Sequence, residues 1–95
     1  MEIIGRIISQ SPLQTVETRN REGKTEMLSI LGFELQSGSD RLYAEMYGEQ
    51  AMKCATLSQQ YYYKVELRAS VRTTQTQDGK EFRRTSLRIQ NIELL

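Results

Sequence analysis

The sequence predicts an all-β fold with one short helix, folded as a single domain over residues 1–95. Three observations carry that expectation. Apolar and polar residues alternate with the two-residue period of half-buried strands. Breaker clusters, NREGK at Asn20 to Lys24, QSGSD at Gln36 to Asp40 and QDGK at Gln77 to Lys80, cut the chain at strand-like intervals. Only one window, Glu49 to Leu57, consists mostly of good helix formers.

The elements follow in order. Glu2 to Gln10 and its continuation to Thr18 read as one long first strand bent at Pro12, because proline lacks the amide that a ladder needs. Glu26 to Gln36 is the second strand, with Gly32 marking a bulge or a sharp coil of the sheet. Arg41 to Tyr47 alternates: Leu42, Ala44 and Met46 point to one side, and Arg41, Tyr43, Glu45 and Tyr47 to the other. After Gly48 comes the helical window, whose Ala51, Met52 and Ala55 form a stripe for docking on a core, with Cys54 on that buried side. Tyr61 to Thr74 places Tyr63, Val65, Leu67, Ala69 and Val71 inward, and Lys64, Glu66, Arg68, Ser70 and Arg72 outward. The last strand, Lys80 to Leu94, turns Leu87 and Ile89 inward and Arg88 and Gln90 outward. The order strand, strand, strand, helix, strand, strand is that of a five-stranded Greek-key OB-fold barrel with its helix between strands three and four. An open α+β sheet and an SH3-like barrel fit the same pattern.

Composition bounds the function. Ninety-five residues, 38% of them apolar, supply one core and no second. Histidine is absent, which removes the usual general base, the Ser-His-Asp and Cys-His arrangements and most zinc sites. Cys54 is the single cysteine, so no internal disulfide can form and a reducing compartment is expected. Acidic residues are scattered without a motif. The chain reads as a binder, not an enzyme, needing no cofactor and no metal. The opening MEIIGRIIS is too short to span a bilayer and lacks the pattern of a secretion signal, so a cytoplasmic protein without a membrane partner is expected.

Charge is concentrated in one place. Residues 70–90 carry Arg72, Lys80, Arg83, Arg84 and Arg88 against Asp78 and Glu81, a net +3 in a chain of net +1. With Lys64 and Arg68, these cations line two polar strands that meet at Asp78-Gly79 and project beyond any core. Such a hairpin suits phosphate contacts, and its preponderance of arginine also allows guanidinium planes to stack on bases. The competing reading is a hairpin whose charges only solubilise it. Tyr43 and Tyr47 on the outward face of the third strand are stacking candidates, as is Phe82 beside the hairpin. Packing in an oligomer interface or anchoring of the strand would occupy the same rings. Tyr61, Tyr62 and Tyr63 alternate in direction and cannot form one platform, so Tyr63 is assigned to the core.

Three stretches carry a resemblance: Gly5-Arg6-Ile7, then AEMYGEQA at Ala44 to Ala51, then Asp78-Gly79-Lys80 with Leu87-Arg88-Ile89 and the closing Ile92-Glu93-Leu94. In this order the chain resembles the bacterial single-stranded DNA-binding protein family over residues 3 to 95. SPLQTVETRNREG at 11–23 and the NIEL ending are similar to the related primosomal replication-restart protein. The resemblance implies an OB-fold that binds single-stranded DNA without sequence preference, in replication, repair, restart or the maintenance of plasmids and mobile elements. It places Tyr47 on the family's stacking aromatic and Tyr43 and Arg72 on basic contact positions. Two tryptophans of the family fall at Arg41 and near Thr74 or Thr76, and this chain has no tryptophan. The family's acidic-tipped tail has no counterpart among these residues, which favours an accessory or restart-type relative.

The expected nucleic-acid contacts are Arg41, Tyr43, Tyr47, Arg68, Arg72, Lys80, Phe82, Arg83, Arg84 and Arg88. The expected partners are single-stranded DNA (or RNA, since no residue is recognisable as reading a 2′-hydroxyl), replication proteins, and further copies of the chain. Ile3, Ile4, Ile7 and Ile8 make the first strand apolar on both parities, which points to a homo-dimer or tetramer through that strand. The alternative is an OB module for protein interaction with little nucleic-acid affinity, favoured by the missing tryptophans and the near-neutral total charge.

Overall fold

A computed structural model describes all residues, Met1–Leu95. The chain is mostly β, with six strands in one sheet and one short helix: β1 (Glu2–Gln10), β2 (Gln14–Arg19), β3 (Thr25–Ser37), β4 (Asp40–Tyr47), α1 (Glu49–Lys53), β5 (Tyr62–Gln75) and β6 (Glu81–Leu94). Neighbours run β1-β5-β6-β4-β3-β2, and β1 also pairs with β3. All pairings are antiparallel except β4 with β6, which meet in parallel at Glu45 and Arg88.

The expected first strand is two strands. Pro12 lies in the break between β1 and β2, where it can leave the ladder without orphaning a donor. Ser11 bridges the break, its amide donating to the Gly32 carbonyl and its hydroxyl accepting from the Gly32 amide, each at 2.8 Å. Gly32 is not bulged: it stays in register with Glu45. It marks the point where β3 passes from β2, which it pairs as far as Ile30, to β1, which it pairs from Phe33. The bulge lies in β1 instead, at Ile8, where the register jumps from Ile7↔Leu35 to Ser9↔Glu34. A second bulge falls at Gln90 in β6, and the Gln50 side chain of α1 donates to its carbonyl at 3.1 Å.

Eleven hydrophobic side chains are buried: Ile7, Leu31, Phe33, Leu35, Ala44, Met46, Ala51, Tyr63, Val65, Leu67 and Ile89. They are inward-parity residues of every strand except β2, plus one residue of the helix, as period-two patterning requires. Tyr63 is the one buried residue with a polar tip, and its hydroxyl donates to the Ser58 carbonyl at 2.9 Å. Three expectations are corrected here. The helix ends at Lys53, four residues short of Leu57, and Met52 is exposed because a five-residue helix buries only Ala51. Ala69 and Val71, on the inward parity of β5, are exposed because the strand has by then outrun the body.

That overrun is the main feature of the shape. β5 and β6 pair continuously to Gln75↔Glu81 apart from the bulge, and every residue from Arg68 to Thr85 is exposed. The tip, Thr76 to Lys80, is closed by the Thr76 amide donating to the Lys80 carbonyl and the Gly79 amide to the Thr76 carbonyl. Gly79 has φ +83°, a value only glycine adopts at little cost. The Thr76 hydroxyl bonds the Asp78 carboxylate, which together with backbone donors holds that carboxyl below its ordinary range.

Candidate nucleic-acid interface

Register sorts the side chains of the β5–β6 hairpin onto two faces. One face carries, row by row, Arg68↔Arg88, Ser70↔Ser86, Arg72↔Arg84 and Thr74↔Phe82. The other carries Ala69↔Leu87, Val71↔Thr85, Thr73↔Arg83 and Gln75↔Glu81. Two rows therefore set arginine directly opposite arginine. Like charges across a ladder repel, and none of these four approaches a carboxylate within ion-pair distance; the ion pairs present are Lys24–Glu22, Arg41–Glu34 and Lys64–Glu2. The rows are four residues apart, roughly 13 Å by strand rise.

β4 borders this face. Arg88 is in register with Glu45, and its guanidinium lies over the Tyr47 ring, 4.8 Å from the centroid. The Tyr47 hydroxyl donates to Glu45 Oε1 at 3.3 Å. Burial pushes the Tyr47 phenol up from its ordinary value, the Glu45 charge and hydrogen bond add to that, and Arg72 and Arg88 oppose it. The ring is therefore neutral at physiological pH. Leu28, Tyr47, Ser70, Arg72, Ser86 and Arg88 line a shallow hollow of about 310 Å³ between the arginine rows and β4. Toward the base of the hairpin the same face turns acidic, where Glu2, Lys64, Glu66, Asn91 and Glu93 surround a polar depression.

The fold thus gathers Tyr47, Arg68, Arg72, Phe82, Arg84 and Arg88 on one continuous surface. Phe82 is half-exposed on the arginine face, toward the tip. Lys80 stands in the turn itself. Arg83 lies on the reverse face, opposite Thr73. Tyr43, 58% exposed, is on the outward side of β4, four residues from Tyr47, with its hydroxyl end over the bare backbone of Gly32. Arg41 is paired with Glu34 at 3.6 Å, farther along that strand. Leu28, Ser70 and Ser86 also line the hollow and escaped sequence reasoning. Ser70 had the right parity but no charge or ring to single it out. Leu28 sits on the outward parity of a strand whose apolar residues occur on both.

The pairing of β1 with both β3 and β5, and of β4 with β6, is what turns the outward side of β4 and the arginine rows of the hairpin toward a common surface. No protein-family model matches the chain, and no characterised protein matches it in sequence.

Proposed function

We propose that the chain is a non-enzymatic single-stranded DNA-binding protein built on an OB-fold, related to the bacterial single-stranded DNA-binding family and acting in replication, repair, restart or mobile-element maintenance. The observation that carries the reading is the pair of arginine–arginine rows, Arg68↔Arg88 and Arg72↔Arg84, facing one way without a counter-ion beside a hollow floored partly by Tyr47. A phosphodiester strand supplies the missing charges, and an unpaired base suits a hollow bounded by an aromatic ring and a guanidinium. The barrel reading is supported by the chain of pairings β1–β5–β6–β4–β3 that returns to β1, and by the helix following β4. Self-association through β1 is part of the proposal: Ile4 stands 52% exposed on the outer side of that strand, in register with Lys64.

Fluorescence anisotropy of a labelled oligo-dT of about thirty nucleotides tests it. Binding should be tight at low salt, weaken steeply as salt rises, and be poorly competed by duplex. No binding at low salt would return the surface to a protein-interaction role, in which the arginines meet an acidic partner.

A further inference from the structure

Arg88 differs from the other three arginines of the face. Its guanidinium lies over the Tyr47 ring, and that ring is anchored by its hydrogen bond to Glu45. The ring that the sequence nominates for stacking is thus covered on one side by a cation. A guanidinium is planar and weakly hydrated, so one held over a tyrosine offers its opposite side as a further stacking surface. Arg88 also lines the hollow, where the Ser70↔Ser86 row leaves room beside it for a flat group. Building on the single-strand reading above, we propose that Arg88 is the base-stacking platform of the site. An unpaired nucleobase lies on its guanidinium and completes a base–Arg88–Tyr47 stack, while Arg68, Arg72 and Arg84 hold phosphates.

The two roles separate by whether the lost affinity depends on the base, with the salt slope checking that the charge is kept. For a single strand the slope of log affinity against log salt shrinks by about 0.7 for each phosphate that the protein no longer neutralises. Arg88→Lys keeps the charge and removes the plane. It should weaken oligo-dT binding on the order of tenfold, with the salt slope unchanged and with affinity for an abasic oligonucleotide of equal length unchanged. Arg72→Gln should weaken binding to both ligands and lower the slope. Arg88 is exposed, so both variants should melt as the wild type does. If Arg88→Lys binds oligo-dT as tightly as wild type, or loses affinity equally for the abasic strand, Arg88 is a phosphate contact and the assignment is overturned. A wild-type protein that binds neither ligand overturns the assignment by removing the single-strand reading beneath it, a result distinct from the other two.

Discussion

Arg72 and Arg84 face each other across the β5–β6 ladder with no carboxylate to separate them, a placement that helps the isolated fold in no way. A directly opposed like-charge pair destabilises the ladder. Arg72→Ala should therefore leave the thermal midpoint unchanged or slightly raised while weakening oligo-dT binding, which a melt and a titration on the same sample would show. pH should matter little to binding. The cations of the face are arginines, histidine is absent, and the Tyr47 phenol is raised rather than lowered, so affinity should stay flat from about pH 6 to pH 9. The alkaline side is different. A raised phenol pKa stabilises the folded state below the ordinary value of 10.0, and that contribution is lost as pH rises through the shifted value. Melts above pH 10 should show it, and Tyr47→Phe should abolish that part of the loss. At this scale the sequence was legible where parity decides: Tyr63 inward, Tyr47 and Arg88 outward. It was not legible where two residues far apart in the chain meet, as Arg88 and Tyr47 do across a single parallel bridge.

Among the elements, the strands were readable because alternation survives wherever one face is buried. Pro12 marked its position correctly but not its consequence: the ladder stops there, and the next strand pairs with a different part of β3. Of the two readings of Gly32, a bulge or a sharp coil of the sheet, the bulge does not hold, for a physical reason. Glycine signals a close approach as well as a bulge, and at Gly32 the approach is that of the Tyr43 ring. The bulge at Ile8 leaves no such mark. A contrast between two glycines tests this. A Cβ on Gly5 would stand 2.9 Å from the Gln36 carbonyl oxygen, which is backbone and cannot yield, whereas the nearest atoms to a Cβ on Gly32 belong to the exposed Tyr43 side chain, which can swing away. Gly5→Ala should lower the melting point by several degrees, corresponding to about 1–2 kcal/mol. Gly32→Ala should change it less and move the Tyr43 ring, visible in its NMR shifts.

For the whole molecule, the sheet wraps eleven buried side chains and then sends a bare hairpin outward. Phe33, fully buried, should be the costliest single truncation: Phe33→Ala is expected to lose about 3–5 kcal/mol in a denaturant titration. The base of the hairpin packs on the core, and on the proposed reading its outer half serves a ligand. Composition gave only a faint sign of this, since a net charge of +1 hides a strongly basic face beside an acidic one. The double variant Arg68→Glu/Arg72→Glu tests the division most directly. It sets a glutamate opposite an arginine in both rows, relieving the repulsion while removing the positive track. Measured by anisotropy and thermal melting together, it should melt at or above the wild-type temperature and lose oligo-dT binding. A variant that keeps wild-type affinity would contradict the assignment of this face as the binding surface.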